Sequence, residues 1–306
     1  ALGGWTMRDN AERFGEYMGF IARNFGENLE NLVSINEPWC VAWLSHYLGE
    51  HAPGLRDLNS AVKASHFVCL GHGLGVQAAR AETKKPIGVV LNFTPGRLAN
   101  NSESNIAALE QYEAITNTWY LSAITTGEYP DAALRSLSSF LPQNWQADMN
   151  IIRGPIDFIG INYYTTVMLE AGGQDFPFVK AIDRSLSKTD MGWEIEPKGL
   201  TDAINLVSHY APELPLYITE NGMASANTIT DEDRIEYYRD HLNEVAKATR
   251  NLPIKGYFAW SLLDNFEWAF GYTKRFGLVH VDYKTQRRTK KDSFKWWQSE
   301  LVRPSA

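Results

Sequence analysis

Five short apolar strands that alternate with helices along the chain predict an α/β fold built on a parallel sheet. Each strand segment is an almost continuous apolar run, which is typical of strands that are covered on both faces. The segments between them repeat apolar residues every three or four positions, as amphipathic helices do. No linker or low-complexity segment divides the 306 residues. The sequence therefore predicts one α/β domain over residues 1–306.

The predicted elements follow one another in βα order after a first helix, whose Phe14, Met18 and Ile21 share one face. The predicted strands cover residues 32–35, 87–92, 156–162, 216–219 and 256–261. The predicted helices cover residues 8–25, 59–79, 105–122, 198–210, 231–249 and 291–301. Thr230 is the predicted N-cap of the helix that follows it. Long irregular stretches remain at residues 94–105, 125–155 and 165–198, and in βα folds such loops usually carry function.

Polar residues follow the apolar run of every predicted strand. They are Asn36 and Glu37, Asn92, Asn162, Glu220 and Asn221, and Ser261. Polar groups that converge at the carboxyl ends of parallel strands are typical of a (β/α)₈ barrel, which has eight strands. A doubly wound sheet is the alternative, but no Gly-rich phosphate loop follows any strand. Since five βα units are present, the sequence predicts an incomplete (β/α)₈ barrel with parallel strands.

Composition argues against several classes of function. The net charge of −7 argues against nucleic-acid binding, and no apolar run is long enough for a membrane helix. Cys40 and Cys69 have no metal-type spacing, and neither do the histidines, so we expect no metal and no cofactor. The basic cluster of Arg287, Arg288, Lys290 and Lys291 is expected to form a solvated face.

Glu37 and Glu220 are the candidate catalytic residues, because each follows a predicted strand and each has an Asn beside it. Two carboxylates across a cleft can cleave an acetal: one protonates the leaving oxygen while the other attacks or activates water. The alternative is that each glutamate is a solvated loop residue or a salt-bridge partner, and these residues alone leave both interpretations open.

Longer motifs around these glutamates resemble the glycoside hydrolases of family 1, the β-glucosidase family. Asn-Glu-Pro at residues 36–38 and Ile-Thr-Glu-Asn-Gly at residues 218–222 match the two catalytic signatures of that family. Further matches lie at residues 50–54, 158–164, 192–200, 260–268 and 271–283, in the same order as in the family. Ser34 departs mildly from the pattern, since the family usually has Thr there.

The resemblance implies a role for each catalytic residue and for its nearest neighbours. Glu37 would be the general acid and then the general base, and Glu220 the nucleophile of a retaining β-glycosidase. Asn36 would bind the 2-hydroxyl of the sugar, and Tyr164 would donate a hydrogen bond to Glu220. Asn162, in the strand-end motif, is expected in the same substrate-binding group.

The resemblance also implies the residues that bind the sugar. Glu267 and Trp268 would contact distal sugar hydroxyls, and Trp260 would form the floor under the ring. Phe276 would pack at the edge of the site, and Trp39 would line the aglycone side. From the residues alone, the aromatic side chains could equally belong to the core. The implied substrate is a β-glucoside or a related β-glycoside without a 6-phosphate.

The missing strands set a further expectation. Gly3-Gly4-Trp5 resembles the segment that follows the third strand of the family barrel, so the first three strands are expected upstream of residue 1. Five strands cannot close a barrel, and two sheet edges would stay open. The expected partner is a complementing N-terminal fragment, or other copies of the chain paired through the edges. The alternative function is a catalytically weak module that binds sugars.

Overall fold

A computed structural model describes residues 3–302 and places a parallel sheet at the centre of the fold. The strands are β1 Leu32–Asn36, β2 Ile87–Phe93, β3 Gly96–Leu98, β4 Phe158–Tyr163, β5 Val167–Ala171, β6 Val179–Ile182, β7 Leu216–Asn221, β8 Ile254–Ala259, β9 Val279–Val281 and β10 Arg288–Lys290. Five of them form the central sheet in the order β1-β2-β4-β7-β8, and every neighbouring pair is parallel. Each of the five predicted strands is thereby confirmed.

Helices follow the central strands as predicted, except that two predicted helices differ in detail and two additional short helices lie within residues 125–155, a stretch predicted to be irregular. The helices are α1 Arg8–Phe25, α2 Leu58–Glu82, α3 Glu103–Glu113, α4 Trp119–Thr125, α5 Asp131–Leu137, α6 Met149–Ile152, α7 Pro197–Tyr210, α8 Glu232–Ala248 and α9 Asp292–Leu301. The single helix predicted at residues 105–122 is instead α3 and α4 joined by a π-helical turn, Ala114–Thr118. The N-cap of α8 is Asp231 rather than Thr230, and the Asp231 carbonyl accepts from the Arg234 amide at 3.0 Å. The Asp231 side chain makes no capping bond to α8 and instead accepts from the amide and hydroxyl of Ser293 in α9.

Aliphatic side chains of the central strands pack against the covering helices. Val89 of β2, Ile159 of β4 and Ile218 of β7 are fully buried, and so are Leu200 and Ile204 of α7. Burial of such a side chain stabilises the fold by roughly 1.5–3 kcal/mol relative to exposure. The packed sheet therefore gives the ends of the strands fixed positions.

The central sheet is open at both edges within residues 3–302. β1 pairs only with β2, and β8 pairs only with β7. Val33 of β1 is 40% exposed and Phe258 of β8 is 57% exposed. The predicted incomplete (β/α)₈ barrel is confirmed, and each of its two unpaired edge strands carries an exposed apolar side chain.

Segments that the sequence left irregular contain additional structure. β3, β5 and β6 form a small second sheet, and β9 and β10 form an antiparallel pair next to the last helix. Within residues 3–302 no helix is long and apolar enough to cross a membrane.

A buried ion pair fixes the segment between β8 and β10. Lys291 is completely buried, and its Nζ lies 2.9 Å from Oδ1 of Asp264. Asp264 also accepts hydrogen bonds from Arg275 at 2.7 Å and from the Gly277 amide at 3.0 Å. The expectation of a solvated basic face holds for Arg287, Arg288 and Lys290, which are exposed, but is wrong for Lys291 because its charge is neutralised inside the fold.

We predict that Lys291→Met lowers the free energy of unfolding by about 3–5 kcal/mol, because it leaves the Asp264 carboxylate buried without its main partner. Urea unfolding followed by circular dichroism measures the change. Lys295→Met is the matched control, since Lys295 forms an exposed pair with Asp292 and should change stability by about 0–1 kcal/mol. Equal small effects of the two substitutions would contradict the structural role of the buried pair.

Candidate active site

Glu37 lies at the point where β1 turns into the following helical segment. Its φ of 49° is in the left-handed region, which is uncommon for a residue with a side chain and which clusters at functional sites. The Glu37 amide donates to the Val90 carbonyl at 3.0 Å, so the sheet still holds its backbone. A π-helical turn, Cys40–Leu44, follows directly. The strand end and this turn together give the carboxyl group a defined direction.

Asn162 connects the ends of three strands of the central sheet. Its Nδ2 donates to Oε1 of Glu37 at 2.9 Å and to Oδ1 of Asn36 at 3.1 Å. Its Oδ1 accepts from the hydroxyl of Thr219 at 2.6 Å, on the strand that carries Glu220. Since Asn162 is fully buried, it acts as a rigid link between β1, β4 and β7.

Glu220 at the end of β7 is held by Tyr164, whose hydroxyl donates to Oε2 of Glu220 at 2.6 Å. Burial, and next the nearby charge of Glu37, raises the pKa of Glu220 to about 7 from an ordinary 4.5. Hydrogen bonds from Tyr164, Asn162 and Asn36 act in the opposite direction, because they stabilise the ionised form. Glu37 and Glu220 therefore interact electrostatically in one site.

The second oxygen of Glu37 contacts a cysteine. The Sγ of Cys40 lies 3.2 Å from Oε2 of Glu37. Burial, and next the charge of Glu37, raises the pKa of the Cys40 thiol well above its ordinary value. The thiol therefore stays protonated and donates to the carboxylate.

A third acidic residue, Glu267, lies in the segment after β8. Burial, and next the charge of Glu37, raises the pKa of Glu267 to about 7. The next residue, Trp268, stacks on the ring of His51 with a centroid separation of 5.4 Å, yet it is 67% exposed. The charge of Glu37 therefore acts on Glu267 as well as on Glu220.

Phe276 is buried and packs edge-on against the ring of Tyr164, at a centroid separation of 6.0 Å. Trp193 packs against both rings, 5.4 Å from Tyr164 and 6.3 Å from Phe276. These rings support the tyrosine that binds Glu220.

Trp260 and Trp39 are less closely connected to the carboxylates. The Trp260 amide donates to the Asn221 carbonyl at 2.9 Å, so the backbone of Trp260 lies directly beside the end of β7. Trp39 packs against the main core, and its buried indole N–H has no hydrogen-bond partner among residues 3–302. The predicted roles of these two residues in binding sugar stay predictions.

The structure thus brings together seven of the ten residues singled out from the sequence. They are Glu37, Glu220, Asn36, Asn162, Tyr164, Glu267 and Phe276. Sequence reasoning missed Thr219, Cys40 and Trp193, although each lies within three residues of a predicted site residue or inside a matched motif. In the described part of the chain, no group of three or more His, Cys, Asp or Glu side chains could hold a metal ion.

Two carboxyl groups at the carboxyl ends of barrel strands, held by amides and a tyrosine, define this protein as a glycoside hydrolase. The family model for glycosyl hydrolase family 1 matches residues 1–304. The chain belongs to that family, whose members hydrolyse glycosides with retention of configuration.

Relatives with known names extend this comparison. The chain is 40% identical to a 1,4-beta-D-glucan glucohydrolase of Thermotoga neapolitana, over 98% of this chain and 69% of the relative. It is 41% identical to a beta-glucosidase of Agrobacterium sp., over 97% of this chain and 67% of the relative. The structure superimposes on the family 1 beta-glucosidase of Thermotoga maritima with a TM-score of 0.94 and 39% identity, over 98% of this chain and 69% of that one.

The raised pKa of Glu220 predicts a pH-dependent change of stability. The folded pKa, about 7, exceeds the ordinary 4.5, so ionisation of Glu220 destabilises the folded state as the pH rises through this interval. We expect Glu220→Gln to raise Tm above that of the wild type by an amount that grows between pH 4.5 and about pH 7. Differential scanning calorimetry across this range measures the difference.

Glu37→Gln provides the matched control for this measurement. The charge of Glu37 is the second cause of the raised pKa of Glu220. The Tm difference caused by Glu220→Gln should therefore depend less on pH when Glu37 is already replaced. A Tm difference that stays constant with pH in both backgrounds would contradict the described coupling.

Proposed function

We propose that this protein hydrolyses terminal β-D-glucosides by double displacement, with Glu220 as the nucleophile and Glu37 as the acid and base. One observation carries the proposal: Glu37 and Glu220 end two strands of one sheet, interact electrostatically, and both lie next to the buried Asn162. A retaining mechanism needs its two carboxyl groups about 5–5.5 Å apart, and this separation stays a prediction here.

In the first step, a carboxylate oxygen of Glu220 attacks the anomeric carbon while Glu37 transfers its proton to the departing glycosidic oxygen. The bond to the aglycone breaks and a covalent glucosyl ester forms on Glu220. In the second step, Glu37 removes a proton from water, the water oxygen attacks the anomeric carbon, and Glu220 leaves as a carboxylate. Two inversions at the same carbon give a β-configured product.

The hydrogen bonds around the pair support this assignment of roles. Glu220 is held by Tyr164, with further stabilisation of its anion by Asn162 and Asn36. These donors favour the carboxylate form of Glu220, and they act against burial and against the charge of Glu37. A retaining mechanism needs an ionised nucleophile, and these three donors are the contacts that favour that form of Glu220.

The glucose ring would lie between the catalytic pair and the segment that carries Glu267. Glu267 would supply acceptors for distal hydroxyls. Its pKa is raised because the carboxyl group is partly buried and because the charge of Glu37 acts on it. Sugar hydroxyls are suitable donors, and hydrogen bonds from them would favour the ionised form of Glu267.

The two carboxyl groups can be assigned by the products that azide gives with alanine variants. With a dinitrophenyl β-glucoside, Glu37→Ala still forms the glucosyl ester because this leaving group needs no acid, and azide then gives β-glucosyl azide. Glu220→Ala cannot form the ester, so azide attacks the substrate directly and gives α-glucosyl azide. NMR of the products distinguishes them, and the reverse assignment would contradict the proposal. Without azide, either variant should lose about 10²–10⁴-fold or more in kcat.

We infer that the two open edges, β1 and β8, pair with further parallel strands supplied by another polypeptide segment. The edges carry the exposed Val33 and Phe258, and unpaired apolar edges are sites of association. The exposed Trp268 also lies near this gap, since it stacks on His51 of the segment after β1. Added strands would close the barrel and complete the wall around the sugar. In their absence, the chain would bind sugars weakly and turn over slowly.

Lysine substitutions at the edges test this part of the proposal. We expect the wild-type chain alone to associate with increasing concentration in sedimentation velocity. We also expect it to gain turnover when it is mixed with the part of a family 1 relative that this chain does not match, which would supply the additional strands. Val33→Lys with Phe258→Lys should abolish both effects, because lysine on an edge strand opposes pairing. Val302→Lys, an exposed valine outside the sheet, is the control. A monomeric wild-type chain with full activity alone would contradict the proposed pairing.

A further inference from the structure

Strand β7 contains one extra residue immediately before Glu220. Against β4, Ile218 is paired with Ile161 and Glu220 with Asn162, so Thr219 has no partner in that ladder. Against β8, Ile218 is paired with Tyr257 and Asn221 with Ala259. Two residues of β7 therefore lie opposite one residue of β8. Both neighbours therefore show the same bulge. A bulge of this kind re-aims side chains and is common next to active sites.

The side chain of Thr219 occupies space that a glycine leaves open. A Cβ atom added to Gly160 would lie 2.6 Å from Cγ2 and 2.7 Å from Oγ1 of Thr219. It would also lie 2.7 Å from Cγ2 of Val90, so neither neighbour leaves room for it. Gly160 thus allows Thr219 to lie against β4, where its hydroxyl reaches Asn162.

The contact between Thr219 and Asn162 decides which way the amide of Asn162 faces. The hydroxyl donates to Oδ1 at 2.6 Å, and this leaves the NH₂ group directed at Glu37. A reversed amide would direct its oxygen at the Glu37 carboxylate, which repels it whenever Glu37 is ionised. Because Asn162 is fully buried, an unpaired oxygen on it would also be costly.

We propose that Thr219 is a positioning residue for the acid and base of the reaction: its hydroxyl fixes the Asn162 amide, which in turn holds the carboxyl group of Glu37. The inference rests on the proposed function of Glu37 and adds a residue outside the sugar contacts. Thr219 acts on proton transfer, since it is connected through Asn162 to Glu37. Asn162 also stabilises the Glu220 anion, but Glu220 keeps the direct hydrogen bond from Tyr164 at 2.6 Å.

This connection has a specific kinetic consequence. A substrate with a poor leaving group needs the proton of Glu37 to form the glucosyl ester, whereas a dinitrophenyl glucoside does not. A displaced Glu37 therefore slows the first substrate much more than the second. A general loosening of the fold would slow both substrates by similar factors.

The test compares Thr219→Val, which keeps the shape and removes the hydroxyl, with Thr219→Ser, which keeps the hydroxyl. We expect Thr219→Val to lower kcat/KM for phenyl β-glucoside about tenfold, and for the dinitrophenyl substrate by less than about threefold. Thr219→Ser should stay within about twofold on both substrates. Equal losses on both substrates, or no loss with Thr219→Val, would overturn the proposal.

A measurement without substrate separates failure of this inference from failure of the proposed function. The side-chain NH₂ signals of Asn162, assigned by their disappearance in Asn162→Asp, should exchange slowly with solvent in the wild type and in Thr219→Ser. They should exchange faster in Thr219→Val, or in Thr219→Ala if the valine variant does not fold. If the Asn162 NH₂ protons exchange at the same rate in Thr219→Val as in the wild type, the positioning role is overturned, whether or not the wild type turns over either substrate. If the wild type turns over neither substrate, that result counts against the proposed function alone.

Discussion

The hydrogen bonds of the buried Asn162 amide are the interactions on which the rest of the site depends. Parallel strands end at the same edge of a sheet, so the polar residues at the ends of β1, β4 and β7 come together without any long-range loop. Asn162 joins Glu37 to Thr219 across this edge. The relative placement of Glu37 and Glu220 is therefore a direct product of the strand order.

Electrostatics explains why this arrangement is both costly and useful. Two carboxyl groups share a partly buried site, and the charge of Glu37 helps to raise the pKa of Glu220 to about 7. The donors Tyr164 and Asn162 offset part of the cost by stabilising negative charge. These donors favour the ionised form of Glu220, which is the form that the proposed nucleophile requires.

Much of the fold was predictable because its signals are local. Apolar runs and helical periodicity located all five central strands, and α1 was predicted with the bounds that the structure shows. The contact of Tyr164 with Glu220 also agrees with the role that the motif resemblance implied. The open sheet followed from the count of strands alone.

Features that depend on distant parts of the chain were not predictable in this way. The bulge at Thr219 is defined by pairing with two other strands, and a threonine before a glutamate carries no local sign of it. Lys291 belongs to a run of basic residues that predicts an exposed surface. Its burial depends on the ion pair with Asp264, which is distant in sequence. Register and buried ion pairs are tertiary properties, whereas propensity and periodicity describe single segments.

The most direct test of the account is to identify the residue that becomes covalently attached to the sugar. A 2-deoxy-2-fluoro-β-glucoside with a dinitrophenyl leaving group forms the glucosyl ester but releases it slowly, so peptide mass spectrometry can locate the sugar. With the barrel completed, we expect one sugar per chain, on the peptide that contains Glu220. A sugar on the peptide that contains Glu37, or none on a protein that turns over β-glucosides, would contradict it.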